Sequence, residues 1–220
     1  MKPWTTLARA DTPDGPLELK QRGPKDFLIT VSGRVLMNSV ASRSEVALGA
    51  LACRGLSGIA APRVLIGGLG MGITLRASLD ALPAGARVVV AELNPVVVDW
   101  CKGPLAALTG GAVLDPRVTV EVANVIDLVR KAGSGDRFDA IAIDLYVGPD
   151  AGTRAKDPLY GNKALGQYRA ALRKGGVFGT WGEAFDSGYV QRLEKQGFAV
   201  RHEKPGKGGL KHVVYLATAK

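Results

Sequence analysis

The sequence predicts an α/β protein with a mostly parallel main sheet whose last strand runs antiparallel, preceded by a small N-terminal β-hairpin segment. Three observations predict it. Arg63 to Trp100 reads as an apolar strand, a glycine turn, a helix and a second buried strand. From there to Gly197 strand patterns alternate with helical ones, the spacing of parallel strands joined by crossover helices. The final two strand patterns, Phe198 to His202 and His212 to Ala217, are separated by a basic GKGGLK turn too short for such a helix. That pair must therefore be antiparallel.

Length and composition bound the function. A chain of 220 residues with 46% hydrophobic content and 29 glycines can bury a sizeable core, which argues against disorder. We divide it into a small β segment, residues 1–41, and a ligand-binding α/β domain, residues 42–220. The net charge of +9 is spread along the chain rather than concentrated beside aromatic residues. It points to solubility or an anionic partner and does not identify nucleic acid as substrate. Cys53 and Cys101 fall in helical, apolar surroundings and read as buried free thiols. The first residues are too polar for a signal peptide, and no apolar stretch approaches the ~20 residues that span a bilayer. The expectation is a soluble, cytoplasmic protein without a membrane partner.

Each element has a local cause. LELKQR, DFLITV and RVLMNS, within Pro13 to Val40, are short strand patterns separated by Gly-Pro and Ser-Gly turns. Ser42 to Leu56 is helical, with Ser42 or Ser44 as cap and Glu45 near its positive end. Val64 to Ile66 is the first strand of the main sheet, Ile73 to Leu82 a helix, and Val88 to Ala91 the second strand, ending on Glu92. Asn94-Pro95 opens a third helix, and a short extra helix is expected at Pro104 to Thr109. Val118 to Val122 is the third strand, followed by Asn124 and a helix over Val125 to Lys131. Phe138 to Ile143 is the fourth and ends on Asp144. After a long polar and aromatic loop come a helix over Leu165 to Leu172, a stop at Lys174-Gly175-Gly176 and a fifth strand, Val177 to Trp181. Asp186 or Ser187 caps the last helix.

Gly67, Gly68, Gly70 and Gly72 lie where a nucleotide-binding βαβ unit brings its backbone close to a ligand, and Glu92 where a ribose would lie. Glu92 can accept from both ribose hydroxyls or cap the helix start at Asn94. Asp144 reaches the sheet edge where ligands bind; it can stabilise positive charge, orient an amine and take its proton, or cap the loop that follows. Tyr146, Tyr160 and Trp181 are acceptor-pocket candidates through aromatic contact with a cationic centre, or a cover for the open end of the sheet. Arg154 and Lys156 can recognise an anionic group or form a solvated loop surface. His212 can face the site or be structural.

Taken in order, VLIGGLGMG (64–72), VVVAELNP (89–95 with Val88), LDPRVTVEVANV, FDAIAIDLYVGP and RKGGVFGTW resemble the motifs of the class I S-adenosylmethionine-dependent methyltransferase fold, most closely its spermidine synthase branch, over roughly Leu36 to Ala217. The resemblance implies a Rossmann-like seven-stranded sheet with an antiparallel last strand, making 42–220 an S-adenosylmethionine-binding domain. It implies that Asn124 meets the adenine edge between Leu93 and Val125, that Glu45, with Ser42, contacts the amino group of the donor's methionine portion, and that Asp144 is catalytic, with Tyr146 beside it.

The chain also departs from that branch, whose catalytic loop resembles Asp-Ser-Ser-Asp-Pro. Val147 stands three residues after Asp144, Asp150 is displaced, Asn124 replaces a usual aspartate, and the N-terminal segment is short. These departures remove negative charge where a cationic diamine would be gripped. The leading expectation is therefore an S-adenosylmethionine-dependent methyltransferase acting on a nitrogen or oxygen of a small molecule. The alternatives are a spermidine synthase-like aminopropyltransferase of polyamine biosynthesis, using decarboxylated S-adenosylmethionine and a diamine, and a non-catalytic nucleoside-binding protein. A homodimer is implied by the resemblance, no metal is expected, and RNA stays open as an acceptor without a visible RNA-binding appendage.

Overall fold

The computed structural model describes residues 2–150, 152–205 and 212–220. Four strands, β1 (Thr5–Thr12), β2 (Gly15–Arg22), β3 (Asp26–Val31) and β4 (Arg34–Asn38), form an antiparallel sheet in sequence order. The β3–β4 turn places Ser32 and Gly33 both at positive φ, 47° and 77°, the twist that suits a two-residue hairpin. The second sheet has seven strands in the order β10-β11-β9-β8-β5-β6-β7. They are β5 (Arg63–Gly67), β6 (Arg87–Glu92), β7 (Val118–Val122), β8 (Phe138–Ile143), β9 (Leu172–Gly182), β10 (Phe198–Glu203) and β11 (Val213–Ala219). β5 to β9 pair in parallel, while β11 runs antiparallel between β9 and β10.

Helix α1 (Arg43–Cys53) precedes β5, and α2 (Ile73–Ala81), α3 (Pro95–Lys102), α4 (Val125–Gly133), α5 (Asn162–Ala171) and α6 (Ser187–Lys195) make the crossovers. Their starts follow local chemistry: Asn124 and Asp186 accept from backbone N–H groups of α4 and α6, and Pro95 opens α3. The chain runs β5, β6, β7 in one direction and β8, β9 in the other. The ends of β5 and β8 thus form the switch point where such sheets bind ligands.

Every residue of β8 is buried, as expected for a central strand covered on both faces. The small sheet is welded to the large one, since Leu17, Leu19, Phe27, Ile29 and Val31 share a core with Val64, Ile66, Leu69, Leu75 and Trp100. Each such side chain contributes roughly 1.5–3 kcal/mol on leaving water. Cys53 and Cys101 are buried free thiols, and burial pushes them up to about 11 and about 12. No helix among the described residues is long and apolar enough to cross a membrane.

Three expectations need correction. The N-terminal sheet has a further strand, β1, because TTLARADT turns only Ala8, Ala10 and Thr12 inward, a pattern too weakly apolar to read as a strand. The helix expected at 104–109 is a single 3-10 turn at Ala106–Leu108. The stop expected at Lys174-Gly176 lies inside β9: pairing with β8 jumps from Phe138↔Leu172 to Ala140↔Val177, with Gly175 at φ +77°. Buried Asp139 supports this irregularity, accepting from Arg173 Nη1 at 2.6 Å and from the Arg63 backbone N–H at 2.7 Å. The expected GKGGLK turn, residues 206–211, lies outside the described residues.

Because Leu19 is fully buried between the two sheets, Leu19→Ala should cost about 2–5 kcal/mol. Urea unfolding followed by tryptophan fluorescence and by circular dichroism should show one coincident, shifted transition. Separate transitions would contradict a shared core.

Candidate active site

Three strand tips meet at the switch point. The Asp144 N–H donates to Gly67 O at 2.8 Å, and the Gly68 N–H donates to Ala91 O at 2.8 Å, tying β8 to β5 and β5 to β6. Gly68 sits at φ +90°, and a Cβ there would lie 2.2 Å from the Asp144 carbonyl oxygen. At Gly67 it would press on Ile143 and Val125, and at Gly70 on Met37. At Gly68 glycine is thus required by packing against backbone within the chain, a reason that stands beside the close approach to a ligand expected of the sequence. Gly72, at φ +77°, leads into α2.

Glu92 is buried at the tip of β6. Its Oε2 accepts from Leu69 N and its Oε1 from Asn94 N, both at 2.9 Å, so one carboxylate organises the glycine loop and the start of α3 together. Each oxygen retains a lone pair for a further donor. Leu93 is 64% exposed beside it, whereas Val125 belongs to the core. Asn124 is exposed, and its Oδ1 accepts from Ile126 N at 3.0 Å. The oxygen expected at an adenine amine thus already serves a helix cap and keeps one lone pair, beside the amide NH₂ as donor.

Asp144 is half-buried just beyond β8. Thr74, at the start of α2, donates to its Oδ2 at 2.5 Å. Burial pushes the carboxyl up to about 7; the Thr74 hydrogen bond opposes this and the charge of Glu45 adds to it. Glu45 comes from the first turn of α1. Its Oε2 accepts from Ser44 Oγ at 2.6 Å, and Ser44 Oγ lies 3.0 Å from His212 Nδ1. The His212 ring packs against Trp181, with centroids 5.3 Å apart, and Trp181 Nε1 donates to Leu145 O at 2.9 Å. Asp144, Glu45 and Trp181 are thereby brought to one edge of the sheet.

The loop after Asp144 divides its aromatic residues. Tyr146 is 55% exposed, whereas Tyr160 is buried, stands edge-on to Tyr189 and donates to Val147 O at 2.8 Å. Tyr160 is therefore an anchor of the loop more than an exposed wall, although it touches a hollow of about 300 Å³ shared with Val147, Asp150, Asp157 and Leu159. Asp150 is used by its own turn, accepting from Gly152 N and Thr153 Oγ1. Asp157 accepts from Leu159 N and Tyr160 N. Arg154 and Lys156 are exposed on the loop.

Ser44 and the convergence of His212 on Glu45 were missed by sequence reasoning. The partners are 168 residues apart, and no local pattern couples them.

No family model matches the chain. A polyamine aminopropyltransferase from Corynebacterium efficiens is 36% identical over 123 residues, which is 56% of this chain and 22% of that protein's length. The spermidine synthase of Thermotoga maritima has a similar fold, with a TM-score of 0.75 at 20% identity over 98% of this chain and 73% of that one. A spermidine synthase in complex with the transition-state analogue AdoDATO gives 0.74 at 19% identity, over 98% and 72%. These likenesses establish the fold, a class I methyltransferase-like sheet close to that of spermidine synthases. The leading expectation of a methyltransferase is overturned, since the curated relative is named a polyamine aminopropyltransferase and both similar structures are of spermidine synthases. The losses of acidic character at Val147, Asp150 and Asn124 carried that expectation, whereas Glu45 supplies a carboxylate from α1.

The raised Asp144 carboxyl makes a stability prediction. Below about pH 4 it is protonated whether the chain is folded or unfolded. Between its ordinary value of 3.8 and about 7, the unfolded chain loses the proton and the folded one keeps it, so stability falls as pH rises. The melting temperature of Asp144→Asn relative to wild type should therefore increase from pH 4 to pH 8. A constant difference across that range would contradict the assignment.

Proposed function

We propose that this chain is an aminopropyltransferase that moves the aminopropyl group of decarboxylated S-adenosylmethionine to an amine. The observation that carries the reading is that Thr74 Oγ1 lies 2.5 Å from Asp144 Oδ2 and 3.2 Å from the Glu45 carbonyl oxygen, which brings the two acidic residues together at the switch point, in a fold shared with spermidine synthases. Two neighbouring carboxylates suit ammonium groups and repel the α-carboxylate of ordinary S-adenosylmethionine.

The donor supplies a carbon bound to a sulfonium, which an amine nitrogen displaces as the carbon–sulfur bond breaks and its electron pair stays on sulfur. The chain's residues hold and orient the two partners. The remaining lone pairs of Glu92 suit the ribose hydroxyls. Leu93 offers an apolar surface and Asn124 an NH₂ donor for the base. Glu45 neutralises the ammonium end of the transferred group.

Asp144 accepts a hydrogen bond from the acceptor nitrogen, aligns it with the carbon–sulfur axis and takes its proton. With a carboxyl near 7 it is a stronger base than an exposed aspartate. Thr74 fixes the orientation of the other oxygen. Trp181 and exposed Tyr146 provide aromatic surface for a cationic centre. Arg154 stays at the loop surface, where it can meet an anionic group on a larger acceptor.

The test compares the two donors. Decarboxylated S-adenosylmethionine should bind at least ~10-fold more tightly than the carboxylated form, a difference of ~1.4 kcal/mol, and should yield methylthioadenosine when putrescine or another primary amine is added. Preference for the carboxylated donor, or tight binding without turnover across an amine panel, would sink the reading. Glu45→Gln should narrow the donor preference.

Asp144→Asn should lower kcat by about 100-fold or more and donor affinity much less. In wild type, kcat/KM should rise with pH through about 7 as Asp144 loses its proton in the free enzyme. Survival of that limb in the variant would assign it to another group.

A further inference from the structure

One hydrogen must be shared between two contacts at Ser44. This side chain is 4% exposed, and its Oγ lies 2.6 Å from Glu45 Oε2 and 3.0 Å from His212 Nδ1. A serine hydroxyl donates only once. An ionised carboxylate can only accept, so the shorter contact takes the serine hydrogen. The longer contact is then a hydrogen bond only if His212 carries a hydrogen on Nδ1 and donates it to Ser44.

We propose that His212 is a positioning residue, held as the Nδ1–H tautomer, which through Ser44 orients the Glu45 carboxylate toward the ammonium of the transferred group. The chain of donors runs from His212 to Ser44 to Glu45, and its direction is set by the carboxylate. The His212 ring is itself steadied by Trp181, whose indole N–H is committed to Leu145 O in the loop beyond Asp144. The loop carrying the acceptor side of the site and the helix carrying Glu45 are thus tied through one imidazole. The function of Glu45 rests on the aminopropyl-transfer reading, whereas the order of hydrogen bonds does not.

Asparagine can place its Nδ2–H near the position of histidine Nδ1–H, while glutamine places its amide nearer Nε2. His212→Ala should therefore raise the KM for decarboxylated S-adenosylmethionine by about 10-fold, the scale of one hydrogen bond to a charged group, with kcat within about 2-fold. His212→Asn should restore most of that loss and His212→Gln should not. Equal effects of all three replacements, or a fall in kcat alone, would overturn the proposal.

An independent measurement uses ¹⁵N-histidine labelling, with His202→Gln to assign the only other histidine. At a pH where His212 is neutral, Nδ1 should show the protonated, pyrrole-type shift, and Ser44→Ala should weaken that preference. A bare Nδ1 with protonated Nε2 would overturn the proposal whether or not the enzyme turns over. A protonated Nδ1 in a protein without aminopropyl transfer would uphold the hydrogen-bond order and reject only the assigned reaction.

Discussion

The close approach of two backbones, at Gly68 and Asp144, is the constraint on which the site depends. The Asp144 carbonyl occupies the space that a side chain at Gly68 would need, while its N–H is bonded to the neighbouring Gly67. This contact fixes where β8 ends relative to the glycine loop. A residue with a Cβ at Gly68 would have to adopt φ near +90° and push the carbonyl away, two costs that glycine avoids. The hydrogen bonds of Glu92 then fasten the other side of the same loop. Asp144 and Glu92 therefore stand on backbone whose positions are mutually determined.

That rigidity has an electrostatic counterpart. Asp144 is withdrawn from water and faces the charge of Glu45, so its ionised form is disfavoured until pH reaches about 7. A bound ammonium would relieve both penalties, which makes ligand binding and proton release opposite sides of one linkage. Thr74 moderates the penalty with a short hydrogen bond and leaves the second carboxylate oxygen to a ligand.

Much of the large sheet was legible because its signals are local. The run FDAIAI shows burial on both faces, VVVAE ends on its carboxylate, and Asn94-Pro95 announces a helix start. β1 was not legible because alanine and threonine inward positions barely differ from a loop. The stop read at Lys174-Gly176 had the composition of a turn, but pairing to β8 and the ion pair of Arg173 with Asp139 keep the segment within a strand. At the site, Asp144 could be read from its place after a buried strand. Tyr160 and Tyr146 could not be told apart, since exposure depends on how the loop folds. The acidic count was misjudged for a related reason: Glu45 joins Asp144 only after three strands, β5, β6 and β7, have been laid between α1 and β8 in the chain.

The contact of Met37 with the glycine loop has a consequence for modular exchange. The Met71 N–H donates to Met37 Sδ at 3.2 Å, and the same side chain fills the space over Gly70. The N-terminal strands are thus the outer half of a mould whose inner half is the glycine loop. A graft that replaced these strands with another small sheet would need more than matching apolar area. It would have to carry, at the register of position 37, a slender side chain able both to cover an exposed glycine backbone and to accept a single N–H.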